Sequence, residues 1–177
     1  MQISTGAKPR SPRAEQIILF RISGQLFAVS SASVQEVRGV DALAGMASEI
    51  PLSTIRKVRH SVRRGDSTLY VVNGGIHFGL PASAATLVFF LRNTRIALLV
   101  DAIERMTSMT TLQAMSHAFC HDERRWYRGL TALDQMVVPV VDPNGFLSLE
   151  ELTLLENALA ARNAAAAGER LGEAYSQ

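Results

Sequence analysis

The chain consists of short apolar runs separated by turn signals, and no helical pattern of crossover length lies between them before residue 142. Residues 17–23 and 26–30 flank Gly24-Gln25, and a two-residue break that contains glycine is typical of a β-hairpin. Further runs with strand character are residues 55–62, 69–72, 86–91, 96–101, 103–110, 129–133 and 136–141. About ten short strands at this spacing predict an all-β barrel or sandwich rather than a parallel sheet.

Two segments depart from the strand pattern. Residues 32–37 could form one helical turn. After residue 142, leucines recur at steps of three and four residues, at Leu149, Leu152, Leu155 and Leu159. Ser148 stands three residues before Glu151, which is the signature of a capping box, so an amphipathic helix is predicted to begin here. Its alanine-rich end has no apolar stripe, and we expect residues 161–177 to fray.

Composition limits the class of protein. The 177 residues are 47% hydrophobic, which is sufficient for a globular core, and the one cysteine, Cys120, excludes an intramolecular disulfide. Residues 1–14 carry Lys8, Arg10 and Arg13 without the apolar run of a signal peptide, and we expect a disordered tail in the cytoplasm. No stretch has the length of a membrane span, and the net charge of +2 is only mildly basic.

Candidate catalytic and metal sites are weak. His117, Cys120 and His121 lie beside Asp122 and Glu123, but their spacing matches no strong zinc motif, so a polar connecting loop is the simpler interpretation. No Gly-x-Ser-x-Gly elbow is present, and periodicity cannot place a base beside a nucleophile. We therefore predict no enzyme activity, no metal and no cofactor.

Two basic clusters leave nucleic acid open as an alternative ligand. One consists of Arg56, Lys57, Arg59, Arg63 and Arg64, and the other of Arg124, Arg125 and Arg128 around Trp126 and Tyr127. Basic residues interleaved with aromatic ones can bind single strands on a small barrel. A solvated face or a protein-docking surface fits the mild net charge better.

A weak internal echo suggests two related β units. Arg64-Gly65 precedes the run 69–73, which ends in Asn73, and Arg128-Gly129 precedes the run 138–142, which ends in Asp142.

Several blocks of sequence, in order, resemble CheW, the adaptor family of bacterial chemotaxis. The segment 33–39, Ser-Val-Gln-Glu-Val-Arg-Gly, is similar to the signature that follows the first hairpin of that family. Further similar blocks are Arg64-Gly65, the runs 71–73 and 78–81, the run 98–101, Gly129 with 140–142, and the helix start at 147–155. The resemblance covers residues 15–160, and it is the order and spacing of the blocks that make it specific.

The resemblance implies a fold of two SH3-like five-stranded β-barrel subdomains packed together, with the C-terminal amphipathic helix alongside. It also implies a non-catalytic adaptor that binds the cytoplasmic tip of a chemoreceptor and the regulatory domain of a CheA-type histidine kinase. Such a protein would reach the membrane only indirectly, through receptor arrays. A divergent adaptor that serves a pilus or another signalling kinase is the alternative.

The resemblance assigns partner contacts to Val34, Glu36, Arg38 and Arg64. A small apolar residue beside charged ones suits a docking surface with a packed centre and a charged rim. Each residue also has a simpler interpretation: Val34 as core, Glu36 and Arg38 as a surface ion pair, and Arg64 as a turn residue.

The first β unit departs from the family pattern in four ways. Asn73 replaces the usual aspartate, and Gly74-Gly75 replaces bulkier, charged residues. The turn at Arg64 is one residue longer, and the usual proline of the following strand is missing, although Pro139 is present in the second unit. These differences leave the partner specificity of the first unit open.

Overall fold

A computed structural model describes residues 14–50, 55–116 and 121–174. Its strands are β1 Glu15–Ile22, β2 Gln25–Ser30, β3 Val34–Gly39, β4 Ala47–Glu49, β5 Val58–Arg64, β6 Ser67–Asn73, β7 Leu87–Leu91, β8 Ile96–Val100, β9 Ala102–Met109, β10 Tyr127–Leu133 and β11 Met136–Val141. Its α-helices are α1 Gly74–His77, α2 His121–Arg125 and α3 Leu149–Ala174, with short 3-10 turns at Ser31–Ser33, Val40–Leu43 and Pro143–Gly145. The predominance of strands confirms the predicted class.

The strands form two mixed sheets. Sheet A has the order β10-β11-β2-β1-β9, and sheet B has the order β3-β7-β8-β6-β5-β4. Each sheet contains one parallel pair, β11 with β2 and β6 with β8. The sheets are not closed, and sheet B has six strands, so the pair of five-stranded barrels implied by the resemblance is not reproduced as such. One isolated bridge, between Gln113 and Leu130, links the chain after β9 to β10 at the other edge of sheet A.

Tight turns determine the hairpins, and the first turn lies at Ser23-Gly24, one residue before the predicted break at Gly24-Gln25. Ser23 and Gly24 both have positive φ, 49° and 78°, and so do Asp134 and Gln135, with 48° and 67°. Two consecutive residues in this region give the twist that matches a two-residue hairpin. The prediction of a helical turn over 32–37 is only partly right, because the 3-10 turn ends at Ser33 and β3 begins at Val34. Val34 and the residues after it are drawn into the ladder with β7.

Alternation along the strands separates three hydrophobic clusters. In β1, Ile17 and Leu19 belong to a cluster of sheet A alone, whereas Ile18, Phe20 and Ile22 face the core shared by both sheets. A third cluster belongs to sheet B alone and contains Val62, Leu69, Val71, Val88, Phe90 and Ala97. Side chains of successive strand residues point to opposite faces, so each sheet contributes one face to the shared core.

Helix α3 connects the two sheets. It follows β11 of sheet A, and Leu155 is 1% exposed within the shared core. Its charged side chains reach sheet B: Glu151 pairs with Lys57, and Arg162 donates a hydrogen bond of 3.0 Å to the backbone oxygen of Glu49. The predicted capping box is present. The Ser148 backbone N–H donates a hydrogen bond of 2.9 Å to the Glu151 carboxylate, and the Glu151 backbone N–H donates one of 3.1 Å to the Ser148 hydroxyl.

The internal echo corresponds to a repeated structural unit. Strands β6 and β11 each pair antiparallel with the preceding strand and parallel with another. A side chain at the end of each strand caps a helical turn: Asn73, the last residue of β6, accepts from the Ile76 N–H, and Asp142, the residue after β11, accepts from the Asn144 N–H, both at 3.0 Å. The Arg-Gly pairs of the echo are not equivalent, because Gly65 lies in a turn and Gly129 lies inside β10.

Two predictions concern the chain ends. Residues 1–13 of the expected N-terminal tail lie outside the described residues. Residues 161–174 are helical as part of α3, so the fraying expected there stays a prediction. None of the helices in the described part of the chain combines the length and apolar character needed to cross a bilayer.

Candidate partner-binding surface

Glu36 is the centre of a charged cluster on sheet B. Its carboxylate accepts a hydrogen bond of 2.5 Å from Arg38 Nε and another of 2.8 Å from Arg64 Nη2. Hydrogen bonding from Arg38, and then from Arg64, lowers the pKa of Glu36. Two of the residues named by the resemblance, Arg38 and Arg64, therefore both contact a third, Glu36, and we call these three the Glu36 cluster.

Strand register brings these residues together. Glu36 follows an irregularity in the pairing of β3 with β7 and lies opposite Phe90. The Arg64 guanidinium lies over the Phe90 ring, 4.6 Å from its centroid. A cation over an aromatic face is attracted by the ring quadrupole, so Phe90 and Glu36 together fix the position of Arg64. Sequence reasoning missed Phe90 because its contact depends on which strands are neighbours.

Val34, the fourth residue of the predicted site, belongs to the core. Its side chain is 8% exposed and packs in the cluster shared by the two sheets. Val34 therefore occupies a core position, as in the alternative interpretation. It can support the strand that carries the Glu36 cluster, but it exposes little surface to a partner.

An exposed apolar surface on sheet A was not predicted. Strand β9 lies at an edge of sheet A, and its Ile103 and Met106 side chains are 39% and 61% exposed. Ion pairs stand beside them, Arg21 with Glu104 and Arg105 with Asp134. The sequence predicts a strand here, but only the strand order shows that this strand is an edge.

Asp101, which belongs to the similar blocks, has a structural role. Its carboxylate accepts from the Ser23 backbone N–H at 2.6 Å and from the Ser83 hydroxyl at 2.9 Å. The Ser23 hydroxyl in turn donates to the backbone oxygen of Pro81 at 2.5 Å. These bonds hold the loop after α1 against the β1–β2 turn, so this part of the resemblance reflects the fold.

Close packing favours glycine at residue 74, the first residue of the Gly74-Gly75 pair. A Cβ atom at Gly74 would stand 2.5 Å from Ile22 Cδ1 and 2.8 Å from the backbone oxygen of Leu99. Ile22 belongs to sheet A and Leu99 to sheet B, so α1 enters where the two sheets meet. This departure from the family pattern therefore follows from close packing at Gly74.

His77 lies in an aromatic environment beside this junction. Its ring is 4.3 Å from the ring centroid of Trp126 and 4.6 Å from that of Phe146. Neither ring nitrogen has a hydrogen-bond partner among the described residues. Burial, and then the charge of Lys57, lowers the pKa of His77 to about 3. The histidine is therefore neutral at physiological pH and acts as part of the core.

Each basic cluster contributes side chains to ion pairs within the protein. Lys57 pairs with Glu151 at 2.7 Å, and Arg128 forms two hydrogen bonds with the Glu15 carboxylate at 2.6 and 3.0 Å. Trp126 and Tyr127 are half-buried against the shared core. Bases stack on exposed aromatic faces, so this arrangement does not favour the nucleic-acid alternative.

The weak zinc candidate cannot be placed. His117 and Cys120 lie outside the described residues, and so does the side chain of His121. The rest of the described chain contains no group of three or more histidine, cysteine, aspartate or glutamate side chains arranged to hold a metal ion.

Comparison with known proteins decides the family. A model of the CheW-like domain matches residues 16–151. This chain belongs to the CheW-like domain family. The fold is similar to the crystal structure of the scaffolding protein TtCheW from Thermoanaerobacter tengcongensis, with a TM-score of 0.65 and 14% identity over 83% of this chain and 96% of that one. A search of curated proteins gave no match.

Family membership assigns a general function to this CheW-like chain. It is a scaffold or adaptor of chemotaxis signal transduction, and its family is non-catalytic. The resemblance seen in the sequence is therefore confirmed. Among the described residues, the Glu36 cluster and the exposed apolar residues of β9 are candidate surfaces for a protein partner.

Proposed function

We propose that this CheW-like domain couples chemoreceptors to a CheA-type histidine kinase. It would bind the cytoplasmic tip of a receptor and the regulatory domain of the kinase, in the cytoplasm beside membrane-bound receptor arrays. Each sheet with its own hydrophobic cluster would correspond to one SH3-like barrel subdomain, which the bridge between Gln113 and Leu130 supports for sheet A.

The Glu36 cluster is the observation that carries the proposal. Side chains of Arg64 and Glu36 are 34% and 29% exposed, so the cluster is both held in place and accessible. Charged groups that are already fixed lose little conformational entropy on binding, and they steer encounter with a complementary surface. Arg38 has the most exposed side chain of the three, at 46%, and suits the rim of an interface.

The exposed apolar residues of β9 form a second candidate docking surface, in addition to the Glu36 cluster. Ile103 and Met106 present apolar side chains on β9, which is an edge strand among the described strands of sheet A. Exposed apolar residues flanked by charges are typical of a protein-docking surface. Two separate surfaces of different chemistry suit a protein that holds two partners at once.

A titration with two purified partners tests this proposal. The kinase regulatory domain and a receptor cytoplasmic fragment are each titrated into this chain by calorimetry. We expect saturable binding, and Glu36→Arg should weaken binding of at least one partner by about tenfold or more, because it opposes Arg38 and Arg64.

Glu15→Arg is the matched control, since Glu15 also lies in a partly exposed ion pair, with Arg128, that belongs to neither proposed surface. If Glu36→Arg binds both partners as tightly as the unchanged chain, the cluster has no role in docking. If neither fragment binds but the regulatory domain of a pilus-associated kinase does, the domain serves that other kinase.

A further inference from the structure

Strand β4 forms one edge of sheet B. It pairs with β5 on one side, and no other described strand pairs with its second side. We call this second side the open edge. A strand edge without a neighbour offers backbone N–H and C=O groups to any further strand, and proteins protect such edges because they promote association between chains. What β4 presents at the open edge therefore decides whether a second chain can pair with it.

The register of β4 with β5 determines which backbone groups point to the open edge. Ile50, the residue after β4, donates its backbone N–H to the Arg59 oxygen at 2.8 Å, so Ile50 directs its backbone groups toward β5. Hydrogen-bonded and non-hydrogen-bonded pairs alternate along an antiparallel ladder, so Ser48 also directs its N–H and C=O toward β5. Ala47 and Glu49 therefore direct theirs to the open edge.

Arg162 of helix α3 already binds one of these outward groups. Its Nη1 donates a hydrogen bond of 3.0 Å to the Glu49 oxygen, an acceptor that the register directs to the open edge. In the described part of the chain, Leu159 is the last apolar residue of α3 that packs against the shared core, and Arg162 lies half-buried beyond it. The distal part of α3 therefore reaches the open edge through a charged side chain, and a charged group at a strand edge discourages strand addition.

A second copy of this chain offers a strand that fits the open edge. Two β4 strands related by a two-fold axis through Ser48 run antiparallel, with Ala47 of each copy opposite Glu49 of the other. Both residues direct their backbone groups outward, so each of these pairs can form two hydrogen bonds. In such a ladder the Ala47 N–H approaches the Glu49 oxygen with a nitrogen–oxygen distance of about 2.9 Å, which is the place that Arg162 Nη1 holds within one chain. Strand pairing and the Arg162 contact therefore compete for the same oxygen.

We propose that Arg162 guards the open edge and prevents two copies of the chain from pairing through β4. The guard is an autoinhibitory contact within one chain, and it goes beyond the adaptor function proposed above without depending on it. Strand β4 has only three residues, so an unguarded edge should give a weak dimer whose population rises with protein concentration.

Truncation of Arg162 tests the guard. Sedimentation velocity of the full chain is recorded over a series of concentrations for the unchanged chain, Arg162→Ala and Arg63→Ala. We expect the dissociation constant of the dimer to be at least about tenfold lower in Arg162→Ala than in the unchanged chain. Arg63 is the matched control, because it also donates to a backbone oxygen, that of Gly65 at 3.3 Å, and its removal changes the net charge equally. Arg63→Ala should associate no more strongly than the unchanged chain.

A second substitution shows whether the association runs through β4. Two-fold pairing brings residue 48 of the two copies directly opposite each other, with Cα atoms about 4.5 Å apart. Ser48 is exposed, so a lysine there is compatible with the fold. In the Arg162→Ala background, Ser48→Lys should abolish the dimer, since like charges directly opposite each other are destabilising. The proposal is overturned by an Arg162→Ala variant that associates no more strongly than the unchanged chain, or by a dimer of that variant that Ser48→Lys leaves intact.

Discussion

Sheets A and B expose surfaces of different chemistry. On sheet B, charged side chains are fixed by one another and by Phe90, so the exposed groups are polar and held in place. On sheet A, the exposed groups Ile103 and Met106 are apolar and lie on β9, an edge strand among the described strands. The first kind of surface can be recognised in a sequence as a motif, whereas the second arises from strand order alone.

Helix α3 packs against the core that the two sheets share. Its apolar side packs in the shared core, and its charged side chains contact Lys57 and Arg95 of the sheet B region. Changes in the shared core should therefore affect both sheets, whereas changes on the surface should stay local.

The largest expected effect is at Leu155. Truncation to alanine leaves a cavity in the core that both sheets share, and we expect Leu155→Ala to lower the free energy of unfolding by roughly 2–5 kcal/mol. The neighbouring Leu154 is 48% exposed, and Leu154→Ala should change it by less than about 0.5 kcal/mol. Urea denaturation measures both values, and equal losses for the two variants would show that α3 is not buried on this side.

A methyl group at Gly74 should separate the sheets at their junction. Leu99 contributes a backbone oxygen that cannot rotate away, so Gly74→Ala should cost roughly 1–3 kcal/mol. At Gly75 the nearest atom to a new Cβ would be Asn73 Oδ1 at 3.3 Å, and Gly75→Ala should be milder. Thermal unfolding checks the order, and a Gly74→Ala variant as stable as Gly75→Ala contradicts the packing described here.

His77 makes the junction sensitive to acid. Its pKa is lowered to about 3 in the folded state, so folding favours the neutral ring and stability is lost as the pH falls below the ordinary value of 6.5. Between pH 8 and pH 5 the chain should lose roughly 2 kcal/mol more stability than His77→Phe, a variant of similar shape without a titratable group. Because Trp126 is the one tryptophan and contacts His77, its fluorescence reports the change. Parallel pH dependence in the two proteins would contradict the buried, neutral histidine.

The smallest effect concerns the ion pairs. The Lys57 and Glu151 side chains are 15% and 28% exposed. Glu151→Gln removes this ion pair but keeps an acceptor for the capping box. We expect the free energy of unfolding to fall by about 0.5–1 kcal/mol. The more exposed pair of Arg21 with Glu104 stays within sheet A, and Glu104→Gln should cost less than about 0.5 kcal/mol. Chemical denaturation in low and high salt measures the loss of stability in the two variants. A larger loss for Glu104→Gln than for Glu151→Gln would contradict the described packing of α3.

Local signals in the sequence predicted the hairpins and the start of α3 well. Residues with special turn conformations and the capping box of Ser148 with Glu151 act over a few positions, so they can be recognised without knowledge of the fold. Boundaries were less accurate, because Arg63 and Arg64 pair with Thr68 and Ser67 in the hairpin and extend β5 through residues predicted as a turn.

Long-range features could not be predicted in this way. The parallel pairing of β6 with β8 and the edge position of β9 depend on contacts between distant segments. The same holds for the candidate site. Glu36, Arg38 and Arg64 were found through the resemblance, but Phe90 beneath Arg64 and the burial of Val34 follow only from strand register.

Simultaneous binding tests the central claim most directly. The receptor cytoplasmic fragment, this domain and the kinase regulatory domain are mixed, and the mass of the assembly is measured by sedimentation velocity. The account predicts one species that contains all three proteins and does not form when this domain is left out. Two separate binary complexes that exclude each other would contradict it, because a domain that binds only one partner at a time cannot couple a receptor to a kinase.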